Sequence, residues 1–152
     1  MKLGESVLII FAIVMGIILL PFTLVATPFL WLQNKTSKKD YEDYLKEIDG
    51  KNFFCYNNRE KGKDFITNEV LPFLPDNIEI LFLNGRKVES GVYNRLFISE
   101  AFYQFKNYNR FPQLLKIRNG KAIDISLNHE LFECINQKKD KQLIFNKIDI
   151  FF

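Results

Sequence analysis

The chain has 152 residues, with 21 Lys and Arg against 18 Asp and Glu and a formal net charge of +3. No dense basic run is interleaved with aromatic residues, which argues against nucleic-acid binding; the nearest run, residues 138–141, is interrupted by Asp140 and is typical of a solvated loop. Two distant cysteines and one histidine argue against a metal site. We therefore expect neither a nucleic acid nor a metal among its ligands.

An apolar segment comes first in the chain, because no charged residue occurs from Ser6 to Asn34. A helix needs about 20 mostly apolar residues to cross a bilayer, and residues 7–32 exceed that length. We therefore predict a single-pass transmembrane helix over residues 6–32, ending near Pro28, with the lipid bilayer as one partner. A cleaved signal peptide is the alternative, although "LVATP" is a poor cleavage site.

Positive charge lies mainly after this segment, at Lys35, Lys38 and Lys39. The positive-inside rule then favours a cytoplasmic location for the rest of the chain. Two cysteines without an obvious disulfide partner agree with a reducing compartment. The glycosylation-like tripeptide at residues 34–36 points the other way but lies close to the predicted bilayer. The predicted localisation is therefore a membrane, with a cytoplasmic domain.

The segment 35–50 predicts an amphipathic helix that connects the anchor to the domain. Its apolar side chains recur at the helical spacing i, i+3, i+4, i+7, namely Tyr41, Tyr44, Leu45 and Ile48. Gly50 ends the helix. This face packs either on the domain or on a partner, and we favour the domain.

A strand–helix–strand unit is predicted next. The apolar run Phe53–Tyr56 indicates a strand, and residues 64–74 indicate a helix that Asp64 caps and Pro75 closes. Residues 78–85 are apolar enough for a second, parallel strand. The spacing is that of a βαβ unit.

A polar loop over residues 84–95 and a helix beginning near Ser99 follow. Asn119-Gly120 is a strong hairpin signal and joins predicted strands at 114–118 and 121–127. Two further elements complete the prediction: a helix from Asn128, its cap, to Ile135, and an added strand over residues 141–152.

This order of elements, with the stretch "FPQLLKIRNGKAI", resembles the thioredoxin fold over residues 52–135. The resemblance implies a cis bond between Phe111 and Pro112, which would border a groove able to pair with an extended peptide. The other interpretation is a trans-proline that simply begins an edge strand. The predicted fold class is thus α/β: an N-terminal transmembrane helix followed by a thioredoxin-like domain over residues 51–152, built from a βαβ unit, a helix, a β-hairpin and a helix.

Redox members of this family carry Cys-x-x-Cys where the first helix begins, but the corresponding residues here are "EKGK", Glu60 to Lys63. Cys55 lies earlier, within the predicted strand. The resemblance therefore implies a redox-inactive member, and no motif indicates a cofactor. An enzyme or redox protein that uses Cys55 as a single thiol remains the alternative.

The predicted function is a binding, adaptor or chaperone-like module that acts on another protein or peptide at the membrane surface. Lys61 and Lys63, beside the backbone N–H groups of a helix start, would suit an acidic ligand. The candidate binding residues are Asn58, Arg59, Glu60, Lys61, Lys63, Phe111 and Pro112.

Overall fold

The computed structural model describes residues 3–85, 87–106, 108 and 110–152. The chain divides into two compact units, Met1–Tyr41 and Glu42–Phe152. Helix α1 (Leu3–Glu47) is the element described in the first unit, and its last residues belong to the second. All strands and the other helices described below lie in the second unit.

The prediction of a transmembrane helix over residues 6–32 is wrong. Within the described part of the chain, no helix combines the length with the apolar content that a bilayer crossing requires. Helix α1 also does not end near Pro28, because it continues to Glu47 through the charged segment that begins at Lys35. The predicted single-pass membrane localisation, with its cytoplasmic domain, is therefore not retained.

The segment predicted as a separate connecting helix is the C-terminal part of α1. Leu45 and Ile48 are buried, as the helical spacing predicts. The Tyr44 hydroxyl accepts a hydrogen bond from the Asn94 backbone N–H at 2.9 Å. Gly50 has a φ of 84°, which favours glycine, and the chain turns there into the sheet.

A five-stranded mixed sheet forms the centre of the second unit. Its strands are β1 (Asn52–Asn57), β2 (Ile78–Asn84), β3 (Lys87–Glu89), β4 (Gln113–Arg118) and β5 (Lys121–Ser126). The spatial order is β3-β2-β1-β4-β5. β1 and β2 are parallel, as predicted for a βαβ unit, and the other neighbours are antiparallel. The fold class is α/β.

Helices connect and follow these strands. The crossover from β1 to β2 begins with α2 (Glu60–Phe65) and continues through a π-helical turn, Ile66–Val70, and a 3₁₀ turn, Leu71–Phe73. The remaining helices are α3 (Arg95–Tyr103), α4 (Asn128–Gln137) and α5 (Gln142–Phe151).

The Asn119-Gly120 hairpin is confirmed, and both residues have positive φ, 54° and 66°. The caps predicted for α3 and for the first crossover helix are wrong. Asn94, not Ser99, caps α3, because its side chain accepts from the N–H groups of the following residues. The first crossover helix begins at Glu60, one turn before the predicted cap Asp64.

The predicted loop 84–95 contains a strand, β3, which is antiparallel to β2. Val88 lies opposite Leu83 in this pair, and both are buried. A three-residue strand with one apolar side chain gives too short a pattern for period-2 alternation to be recognised.

Alternation along β1 sends successive side chains to opposite faces of the sheet. Phe54 joins a core cluster with residues of the crossover helix, α4 and α5, including Ile66 and Leu131. Phe53 and Cys55 therefore point to the other face, where the Phe53 ring meets Tyr93 edge-on at 5.0 Å.

The last segment is a helix, α5, and not the predicted strand. Ile144 and Ile148, four residues apart, are both 1% exposed and lie in the core cluster, while Ile150 is 86% exposed. In a strand these three residues would share one face. The apparent alternation in the sequence arises because the helical stripe and the exposed isoleucine happen to fall at even spacings.

A helix and a strand over the last segment predict different effects for the same substitutions. We expect Ile148→Ala to lower the free energy of unfolding by about 2–4 kcal/mol, because it empties a core position. Ile150→Ala should change it by less than about 0.5 kcal/mol. Urea unfolding followed by circular dichroism measures both. Equal losses for the two variants would contradict the helical assignment.

Candidate functional site

A cleft of about 330 Å³ lies beside the start of the crossover helix and α4. Its floor and walls come from three parts of the chain that are distant in sequence: the β1–α2 corner, the segment before β4, and α4. The lining residues are Asn57, Arg59, Glu60, Lys61, Gly62, Ile66, Phe111, Pro112, Leu131 and Phe132.

The floor of the cleft is apolar. Ile66, Phe111 and Leu131 are each almost fully buried, and Phe132 is 39% exposed. A Cβ on Gly62 would lie 3.2 Å from Cδ2 of Leu131, so glycine allows a close approach of the crossover helix to α4. The result is a concave, largely apolar surface, as is usual for binding sites.

The wall formed by residues 110–112 is tied to the chain that leads from β5 into α4. The peptide bond between Phe111 and Pro112 is cis, as the resemblance implied. Three hydrogen bonds fix the carbonyl groups of this wall: from Ser126 Oγ to Arg110 O (2.6 Å), from Asn128 Nδ2 to Phe111 O (2.8 Å) and from Leu127 N to Pro112 O (2.8 Å). The Asn128 side chain therefore binds the wall. The prediction that it caps α4 is wrong.

The contacts of Phe111 limit how this wall could hold a ligand. The Phe111 carbonyl already accepts a hydrogen bond from the Asn128 side chain. It has correspondingly less capacity for main-chain pairing with an extended peptide, the interaction that the resemblance implied. The Phe111 ring is fixed as well, by aromatic contacts with Phe102 and Phe105 at centroid distances of 5.8 Å and 6.4 Å. The wall therefore presents mainly apolar side-chain surface to the cleft.

Exposed charged side chains form the rim at the start of α2. Arg59 and Lys61 carry positive charge, and Glu60 between them carries negative charge. Arg59 occupies the cap position of α2 and makes no side-chain capping bond. Since α2 has six residues and an acidic first turn, its backbone N–H groups are a weak attraction for an anion.

The structure brings most of the predicted binding residues together in this cleft. Arg59, Glu60, Lys61, Phe111 and Pro112 line it. The other two candidates lie outside. The Asn58 side chain donates a hydrogen bond to Asn84 Oδ1 at 3.2 Å, and Lys63 Nζ lies 5.6 Å from the centre of the Phe82 ring.

The apolar lining contributed by α4 was not predicted. Neither Leu131 nor Phe132 is among the candidate binding residues predicted from the sequence. The sequence contained a signal for Phe132. This residue lies next to the buried stripe of Leu131 and Cys134, at a position where an amphipathic helix is usually polar.

Neither cysteine is placed for thiol chemistry in this cleft. Cys55 is fully buried, and alternation along β1 points it to the sheet face opposite Phe54 and the crossover helix. Burial raises the pKa of the Cys55 thiol well above its usual range, and the Asp124 carboxylate adds to the effect. Burial likewise raises the pKa of Cys134. The geometry thus gives no support to the single-thiol alternative.

Comparisons of this chain with protein-family models, with curated proteins and with solved structures find no match.

Burial predicts that both thiols are protected in the folded chain. We expect iodoacetamide at pH 7.5 to label neither cysteine over minutes, because the thiolate is the reactive species and both pKa values are raised. Both should be labelled in 6 M guanidinium chloride. The variant Cys134→Ala isolates Cys55, and mass spectrometry counts the added groups. Rapid labelling of Cys55 in the folded variant would revive the enzyme alternative.

Proposed function

We propose that the second unit is a protein-binding module, an adaptor or chaperone-like domain that holds an apolar segment of a partner in the cleft. The proposal includes a thioredoxin-like architecture without redox cysteines. The proposed occupant of the cleft is a polypeptide side chain with neighbouring backbone, since the cleft offers apolar contact and few free polar groups.

The observation that carries the proposal is the apolar cleft itself. Its volume of about 330 Å³ is at the small end of ligand sites and suits one or two side chains. The exposed Phe132 ring at its edge provides a large contact area. Burying an aromatic side chain against such a surface contributes roughly 1.5–3 kcal/mol.

The strand order supports the thioredoxin-like part of the proposal. A parallel pair, β1 and β2, is joined by a helical crossover, and an antiparallel hairpin, β4 and β5, pairs with β1 on the other side. A helix, α4, follows the hairpin. This is the order of elements that the sequence resemblance implied.

The position of the cysteines supports binding over catalysis. Cys55 precedes the β1–α2 corner and faces the opposite side of the sheet, and "EKGK" occupies the corner itself. The corner therefore contributes charge and shape to the cleft but no nucleophilic thiol.

A selection of displayed random dodecapeptides on the immobilised full chain tests the proposal. We expect the enriched peptides to share a large apolar residue and to lose about tenfold or more in affinity for Phe132→Ser, measured by isothermal titration calorimetry, because an apolar contact worth roughly 1.5–3 kcal/mol is removed.

The matched control is Leu96→Ser, which removes an apolar side chain that is 78% exposed on α3, outside the cleft. This variant should keep the affinity of the unmodified chain. The proposal fails if no peptide is enriched, or if Leu96→Ser weakens binding and Phe132→Ser does not.

A further inference from the structure

A second cavity adjoins the apolar cleft. It also has a volume of about 330 Å³, and its lining residues are Arg110, Ser126, Asn128, His129 and Phe132. Phe132 lines both cavities. The two spaces are therefore adjacent at this side chain.

The first cavity has the Glu60 carboxylate beside its positive rim, whereas the described lining of the second carries positive charge alone. Arg110 contributes an exposed guanidinium group, and His129 contributes an imidazole whose side chain is 80% exposed. Among the described residues, none that lines this cavity is acidic. The Glu133 carboxylate lies 3.8 Å from His129 Nε2, outside the lining, and also pairs with Lys139.

Two donor groups of the lining are already engaged in the fold. Ser126 Oγ donates to the Arg110 carbonyl, and Asn128 Nδ2 donates to the Phe111 carbonyl. Arg110 is thus the main group in this cavity that can recognise a ligand, and a guanidinium group favours a carboxylate with bidentate geometry.

We propose that the two cavities together select a peptide with a large apolar residue and, two positions away, an acidic residue. In an extended chain, residues i and i+2 point to the same side and are separated by about 7 Å, so two adjoining cavities can each receive one of them. The apolar residue enters the cleft, and its acidic neighbour binds Arg110. This inference rests on the proposed function and specifies its partner.

A peptide library with phenylalanine fixed at its centre and random residues on both sides tests the inference on the full chain. We expect Asp and Glu to be enriched about threefold to fivefold two positions from the phenylalanine, the gain typical of one exposed ion pair. The enrichment should disappear on Arg110→Gln and persist on Arg110→Lys.

Lys121→Gln is the matched control. It removes one exposed positive charge from β5, outside both cavities, so it changes the net charge equally. The acidic preference should survive in this variant. Circular dichroism of each variant verifies that the fold is retained.

The outcomes separate the two proposals. Phe132-dependent binding without an acidic preference overturns the inference and leaves the proposed function standing. An acidic preference that persists on Arg110→Gln, or that disappears on Lys121→Gln, also overturns the inference. No enrichment at all overturns both proposals.

Discussion

The candidate site depends on the hydrogen bonds that tie the wall at residues 110–112 to the chain entering α4. Three consecutive carbonyl groups of this wall are satisfied by three consecutive residues of the β5–α4 junction. Phe111 and Pro112 are buried residues, and leaving a buried backbone carbonyl unsatisfied costs about 1–3 kcal/mol. The bonds join this wall of the cleft to the chain that enters α4.

The same bonds limit the chemistry of the site. Since Asn128 already binds the Phe111 carbonyl, the wall has less main-chain hydrogen-bonding capacity to offer a ligand. What remains is an apolar surface, to which Leu131 and Phe132 of α4 add their side chains. A fold with a corner suited to catalysis thus presents a cleft suited to side-chain binding, with its cysteines buried elsewhere.

The sequence predicted those elements whose signals are local. The Asn119-Gly120 turn specified the hairpin, and the apolar runs specified β1 and β2. Two predictions failed: α5 was mistaken for a strand, because its burial against the core decides its periodicity, and the apolar segment at residues 6–32 was mistaken for a membrane crossing. The sequence predicted part of the candidate site. The β1–α2 corner and Phe111-Pro112 have sequence signatures, whereas α4 joins them only through folding.

The central claim is that the cleft beside α4 binds apolar side chains. Titration of the ¹⁵N-labelled full chain with N-acetyl-phenylalaninamide, followed by NMR, tests it most directly. We predict that the largest shift changes occur at the amides of Gly62, Ile66 and Phe132, in the cleft lining. Changes confined to other exposed apolar positions, such as Leu96 on α3 and Ile150 on α5, would contradict the account.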